Sequence, residues 1–312
     1  MIREINGTGF RVTAIGLGAM PLSIQGRPEE RTALEVIETF LAAGGNLIDT
    51  ANVYCLDDSD IGHNERLIAR ALDLLGKRSG TLVATKGGLC RPKGAWVDNG
   101  GPAFLRRSCE QSLKALGVEQ IALYQLHAVD PQVGLLPSLE ALIQLKEEGK
   151  IAHIGLSNVD RATLETALRH TRIASVQNRC NPFDQGDFAS GLVDFCGARG
   201  VAYIAYGPVG GHRGHARLGQ SALLGHIAEK HGISPYCVAL AWLLAKGDHI
   251  VPIPGASKPA SIADSLRALR VALDPEDIAA IDRLPGAGGW PNGCRPPSWP
   301  SCAGASGRSF PS

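Results

Sequence analysis

Between residues 13 and 269 the chain alternates short apolar runs with stretches of helical period, and this alternation limits what it can fold into more than any other feature. The apolar runs are "TAIGLG" (13–18), "NLIDT" (46–50), "TLVATK" (81–86), "IALYQLH" (121–127), "IAHIGLS" (151–157), "IASVQN" (173–178), "VAYIAY" (201–206) and "HIVPIPG" (249–255). Helices are predicted between them, over about 28–43, 64–75, 103–116, 135–148, 161–170, 188–199, 220–231, 235–246 and 259–269. The first shows the logic: Pro28 and acids open it, Leu34, Ile37 and Leu41 recur at helical spacing, and Gly44 follows it. Strands separated by helices of this length pair in parallel, because the crossover must return the chain to the same edge. Eight such units in about 270 residues fit a closed (β/α)8 TIM barrel, an α/β fold, better than an open doubly wound sheet. The open sheet calls for G-x-G-x-x-G after the first strand, whereas "GLGAMP" offers two glycines, no third, and no helix start.

A short N-terminal β-hairpin is predicted in "REINGTGFRV", with Asn6-Gly7 as its turn. The barrel is expected over residues 1–284. From 285 to 312 the sequence changes to "PGAGGWPNGCRPPSWPSCAGASGRSFPS", rich in Gly, Pro and Ser and without periodicity, which reads as an irregular or disordered tail. Of the 312 residues, 44% are hydrophobic and 20% charged, and the net charge is +1 with no long charge run, so neither nucleic acid nor an acidic membrane surface is an expected partner. No apolar window approaches the roughly 18 residues of a membrane span. The start, "MIREINGTGFRVTAIGLGAM", carries Arg3 and Glu4 and no signal-peptide core. Eight scattered cysteines, none in C-x-x-C, read as free thiols of a cytoplasmic protein.

In a barrel of this kind chemistry gathers at the C-terminal ends of the strands. Those ends carry Asp49, Lys86, His127, Ser157-Asn158, Gln177 and Tyr206, with Tyr54 five residues beyond Asp49. Alone, each has an ordinary explanation: Asp49 a helix cap, Lys86 a surface lysine, His127 a satisfied core histidine. Four ionisable or phenolic groups converging on one barrel mouth are harder to explain that way. A buried carboxylate needs a partner, and Lys86 can supply it. A charged lysine beside Tyr54 favours the phenolate and is expected to lower the tyrosine's pKa, making it a usable proton donor. His127 can donate a hydrogen bond to the same point. Such a site protonates a carbonyl oxygen while something else delivers hydride to carbon, and since no side chain delivers hydride a nicotinamide cofactor is implied.

At these residues the sequence resembles the aldo-keto reductase family. The resemblance runs over about residues 1–284 and rests on "DTANVY", "GHNERLIARAL", "TKGG", "SLKALGVEQIALYQLH", "GKIAHIGLSN", "VQNRCNPF", "AYGPVGG" and "IPGASKPASI", in that order. It implies a catalytic tetrad of Asp49, Tyr54, Lys86 and His127: Tyr54 as general acid/base, Lys86 lowering its pKa, Asp49 fixing Lys86, and His127 orienting the carbonyl. It further implies that Ser157, Asn158 and Gln177 hold the nicotinamide carboxamide and that Tyr206 stacks on the ring. Gly207, Pro208, Val209, Gly210 and Gly211 would approach the pyrophosphate with their backbone. "GASKPASIADS" would hold the adenosine end, with Lys258 at a 2′-phosphate. Three positions depart from the family's pattern. Cys55 stands where glycine often follows the tyrosine, Ser261 replaces an arginine that would grip a 2′-phosphate with two hydrogen bonds, and Asp264-Ser265 replaces Glu-Asn.

The expected function is reduction of aldehydes or ketones to alcohols with NADP(H), NAD being possible, on a small-molecule carbonyl or alcohol substrate in a reversible reaction. The alternatives are a sugar or pyridoxal-type dehydrogenase working oxidatively, and a cofactor-binding redox-sensor subunit, as some relatives of the family are in ion channels. "GHRGHARLG" (211–219) is expected as a mobile loop; its His212 and His215 lack the further ligand a metal site needs, so no metal is expected. Arg213 and Arg217 are candidates for the cofactor phosphates, His63 for a helix start, and His153 for a structural role. Trp96 lies in a long loop after the third strand, where it either walls the substrate pocket or marks an exposed tip. Trp290 and Trp299 are the tail's candidates for the pocket. The substrate and the oligomeric state are not legible.

Overall fold

The computed structural model describes residues 1–5 and 7–285, with backbone only at 212 and 213. Its centre is a sheet of eight parallel strands: β1 (Leu17–Gly18), β2 (Leu47–Asp49), β3 (Leu82–Gly87), β4 (Ile121–Leu126), β5 (Ile151–Ser157), β6 (Ile173–Arg179), β7 (Ala202–Tyr206) and β8 (Ile250–Ile253). Each pairs with the next in sequence. The ring closes between β8 and β1. Gly16 N–H donates to the Pro252 carbonyl and Gly18 N–H to the Pro254 carbonyl, each at 3.0 Å. A Cβ on Gly18 would lie 2.8 Å from the Ile253 carbonyl oxygen, so glycine is required there. The two glycines of "GLG" therefore serve barrel closure, and the open-sheet alternative falls.

Around the ring run α1 (Glu30–Ala42), α2 (His63–Leu74), α3 (Pro102–Leu116), α4 (Leu135–Glu147), α5 (Arg161–Leu168), α6 (Gly186–Ala189), α7 (Leu192–Ala198), α8 (Gly211–Gly219), α9 (Ala222–His231), α10 (Pro235–Ala245), α11 (Pro259–Arg267) and α12 (Pro275–Asp282). Helix α1 shows why they dock. Ala33, Val36, Ile37, Phe40 and Leu41 share one buried stripe, and burying each large one is worth about 1.5–3 kcal/mol. The N-terminal hairpin, Ile2–Ile5 with Phe10–Thr13, is antiparallel. Its Ile5 and Val12 join Leu47, Leu82, Leu123, Ile204 and Val251 in the core inside the ring. Phe10 meets His153 edge-on at 5.5 Å. The Thr8 N–H donates to the Ile5 carbonyl across the turn, of which Asn6 lies outside the described residues.

Three readings of the sequence change. The segment 211–219, expected as a loop, is helix α8; its Leu218 is fully buried and His215 stacks on Tyr236 of α10 at 4.0 Å, so tertiary packing overrides the poor helix propensity of its glycines. The single helix expected over 188–199 is two, α6 and α7. Helix α12, too short to register as a periodic signal, buries Asp277 and Ile281. The tail, with Trp290 and Trp299, lies outside the described residues.

Candidate active site

Strand β2 delivers Asp49 at its last position, and Tyr54 follows in the loop. Strand β3 delivers Lys86, and His127 stands just past β4. The four converge. Lys86 Nζ donates to Asp49 Oδ1 at 2.5 Å and to the Thr50 carbonyl at 2.8 Å, and lies 3.0 Å from the Tyr54 hydroxyl. The Tyr54 and His127 rings meet edge-to-face at 5.8 Å. All four groups are buried, Lys86 completely. A lysine without solvent is tolerable only because its ammonium has a carboxylate and a carbonyl to donate to.

Burial decides the charge states. It lowers the Lys86 pKa against the pull of Asp49 and, more weakly, of Glu65. It pushes His127 well below its ordinary range, with the Lys86 charge adding to the effect, so the imidazole is neutral. Burial, joined by the Asp49 carboxylate, raises Tyr54 well above the ordinary phenol value. This reverses the direction expected from the lysine's proximity. Asp49 neutralises most of the lysine's field, and desolvation of the phenolate outweighs what remains. Tyr54 is thus a protonated phenol, an acid in waiting.

A second polar group lies on the other side of Asp49. Gln177 Nε2 donates to Asp49 Oδ2 at 2.7 Å and Gln125 Nε2 to the same oxygen at 3.2 Å. Gln125, fully buried on β4, escaped the sequence reading. Its signal was present: it lies two residues before His127 in a strand, hence on the same face, and is the polar break in "IALYQLH". A neighbouring glycine makes its space, since a Cβ on Gly155 would come within 2.8 Å of Gln125 Cγ.

The remaining candidates cluster beside His127. Asn158, at a left-handed φ of 56°, donates to the His127 carbonyl at 2.9 Å and accepts from the Tyr206 hydroxyl at 2.8 Å. The Ser157 hydroxyl donates to the Gln177 carbonyl at 2.8 Å. Tyr206 ends β7, and the turn Gly207, Pro208, Val209, Gly210 and Gly211 leads into the N-terminus of α8. Gly207, Gly210 and Gly211 all have positive φ, and the turn closes through Gly210 N–H to the Gly207 carbonyl at 3.0 Å. Lys258 is the candidate not joined to the cluster by a contact: it is exposed at the N-cap of α11 and makes no ion pair among the described residues. Arg217 lies over the Phe183 ring at 4.2 Å. His63 begins α2 and its Nδ1 lies 2.8 Å from the Ser23 hydroxyl. The cluster of His231, Asp274 and Asp277 has the geometry of metal ligands, but Lys230 already bridges both carboxylates.

A carboxylate, an ammonium, a phenol and an imidazole buried together at the C-terminal mouth of a barrel are groups suited to proton transfer. Residues 14–285 match the sequence model of the Aldo/keto reductase family, and the chain belongs to that family. It is 30% identical over 276 residues to an uncharacterized oxidoreductase of Schizosaccharomyces pombe, covering 87% of this chain and 86% of the relative. Its fold matches the glycerol dehydrogenase of Gluconobacter oxydans with a TM-score of 0.78 at 26% identity, over 90% of this chain and 94% of the other. It also matches an aldo-keto reductase of Klebsiella pneumoniae in complex with NADPH, with a TM-score of 0.74 at 26% identity, over 89% and 93% of the two chains. The protein is an oxidoreductase acting on carbonyl or alcohol groups. Among the described residues no helix is long and apolar enough to cross a membrane.

Proposed function

We propose that the protein reduces aldehydes or ketones to alcohols with NADPH, reversibly, with Tyr54 as the proton donor. The observation that carries this reading is the contact of the fully buried Lys86 Nζ with both Asp49 and the Tyr54 hydroxyl. The donor set suits a nicotinamide dinucleotide. The N–H groups of the Asn158 and Gln177 amides are spent within the site, but their carbonyl oxygens can accept from a carboxamide, and Tyr206 offers a ring to stack on. The positive-φ turn opens into a helix N-terminus, where uncompensated N–H groups favour a pyrophosphate. When bound, the cofactor supplies or accepts hydride. The chain's residues do the rest. His127, kept neutral, donates a hydrogen bond to the carbonyl oxygen and orients it; Tyr54 transfers its hydroxyl proton to that oxygen as the C–H bond forms; Lys86 stabilises the resulting phenolate; Asp49 holds Lys86 in place.

A second reading, an NAD(P)-dependent sugar or pyridoxal-type dehydrogenase working oxidatively, draws support from Ser261, which stands where an arginine would grip a 2′-phosphate, and from the likeness to a glycerol dehydrogenase. The third, a redox-sensor subunit, requires partner binding without turnover. Fluorescence titration with NADPH and separately with NADH tests cofactor preference. Tight binding of NADPH alone supports the reductase, preference for NADH moves the assignment to the oxidative enzyme, and binding of neither removes both. The described cysteines are all free thiols, in keeping with a reducing cytoplasm as the place of work.

A further inference from the structure

The indole of Trp96 forms a three-ring corner with the two groups proposed to meet the carbonyl. Its centroid lies 6.3 Å from that of Tyr54 and 6.4 Å from that of His127, at interplanar angles of 70° and 73°. The Arg91 guanidinium lies over the indole, 3.9 Å from the ring centroid. The same guanidinium donates through Nη2 to the carbonyls of Cys55 at 3.1 Å and Leu56 at 3.0 Å, in the loop that carries Tyr54. Arg91 is only 4% exposed. With Nη2 on two backbone carbonyls and its face on an indole, the guanidinium ties the loop after β2 to the loop after β3, while its buried Nε and Nη1 meet no acceptor among the described residues. Tyr54 belongs to a small apolar cluster with Ala51, Val53, Leu89 and Ala128, against which Met20, Ile24, Ile61 and Trp96 pack half-buried.

We propose that Arg91 is the positioning residue of the substrate pocket, and that the indole it holds is an apolar wall selecting ring-bearing carbonyl compounds over small polyhydroxylated ones. The inference rests on the reductase reading above. A hydroxyl-rich substrate pressed against Met20, Ile24 and Trp96 would lose water hydrogen bonds without replacement, whereas a ring gains an edge or face contact. Arg91 acts through Trp96 and the Tyr54 loop and is not itself assigned a contact with the reacting atoms.

The test uses the full chain with NADPH and two probe aldehydes, 4-nitrobenzaldehyde and glyceraldehyde, on the wild type and on Arg91→Met, Arg91→Lys, Trp96→Ala and Trp96→Phe. The wild type should favour the aromatic aldehyde in kcat/KM. Trp96→Ala should lower kcat/KM for the aromatic aldehyde about tenfold relative to glyceraldehyde, mainly through KM, and Arg91→Met should lower the same ratio and, by freeing the Tyr54 loop, also lower kcat for both aldehydes. Trp96→Phe should recover most of the ratio, which general damage to the fold would not allow, whereas Arg91→Lys, without the planar face that stacks on the indole, should recover little of it. If Arg91→Met does not fold, the two Trp96 variants decide the matter. Equal use of both aldehydes by the wild type, or Trp96 variants that leave the ratio of their kcat/KM values unchanged, overturns the inference while the reductase reading stands. Failure to bind NADPH or to turn over either aldehyde overturns both.

Discussion

Lys86 Nζ and Asp49 Oδ1 are 2.5 Å apart, the lysine fully buried and the carboxylate nearly so, and the Tyr54 hydroxyl lies 3.0 Å from the same ammonium. The pair is worth more as a constraint than as a source of net stability, because desolvation offsets much of its attraction. Breaking it is another matter. Lys86→Met leaves a buried carboxylate with only two amide donors and should cost on the order of 3–5 kcal/mol. Lys86→Met/Asp49→Asn together should restore most of that stability and none of the activity. Urea denaturation midpoints at unchanged slope check the first claim, and turnover checks the second.

The charge states set a pH prediction. Tyr54 is held above its ordinary value of 10.0 and His127 below its ordinary 6.5. Besides burial, the Asp49 carboxylate bears on Tyr54 and the Lys86 ammonium on His127, with Glu65 acting in turn on Lys86. Reduction needs the protonated phenol and the neutral imidazole, so its kcat should be flat from pH 6.5 to 10.0. Alcohol oxidation needs the phenolate, so its rate should rise through the same interval. Profiles of kcat in both directions at saturating cofactor read this directly. A reductive limb falling near neutral pH would mean that Tyr54 ionises below its ordinary value after all. Tyr54→Phe should lower turnover by about 10²–10⁴-fold and leave cofactor binding intact.

The strand-and-helix alternation made the barrel legible, because each parallel strand announced itself as an apolar run and the polar residue at its end marked the mouth. Asp49, Lys86 and His127 were visible for that reason. Gln125 and Arg91 were harder. Gln125 lies inside a strand, where the period of two puts it on the face of His127 but only the register beside Lys86 brings it to Asp49. Arg91 and Trp96 lie just inside a short antiparallel hairpin, Leu89–Cys90 with Val97–Asp98, whose strands are too short to register as a pattern and which brings the guanidinium onto the indole and the carbonyls of Cys55 and Leu56. The pKa of Tyr54 was misread because proximity to a lysine shows in sequence, while burial and the neutralising carboxylate come only with the fold. Helix α8 was missed since its glycines hide a segment held by Leu218 and by the stacking of His215 on Tyr236.

Two amides on one carboxylate oxygen make a separable prediction. Gln125 and Gln177 both donate to Asp49 Oδ2, but in the proposed function only Gln177 also meets the nicotinamide. Gln125→Met removes one donor from the buried carboxylate and should lower kcat by about tenfold, the scale of a lost hydrogen bond to a charged group. NADPH affinity should hold. Gln177→Met should weaken both. Stopped-flow single turnovers beside equilibrium titrations separate the two effects, and equal loss of NADPH affinity in both variants would remove the distinction.

Cofactor preference turns on α11. Lys258 is exposed at its N-cap, with its N-terminal dipole end beside it, and Ser261 is exposed one turn further on. A single lysine meets a phosphate as a point charge, without the two parallel hydrogen bonds an arginine would make. Lys258→Ala should therefore weaken NADPH by about tenfold and leave NADH unchanged, and the loss should shrink at high salt, as it must for an exposed charge. Ser261→Arg should act the other way, tightening NADPH by about five- to tenfold over the wild type by adding the fork. Titrations of both cofactors at low and high ionic strength measure each term. If Lys258→Ala leaves NADPH untouched, the 2′-phosphate is read elsewhere or not at all, and the oxidative, NAD-using reading becomes the stronger one, because nothing else on α11 among the described residues offers an unpaired cation next to Ser261.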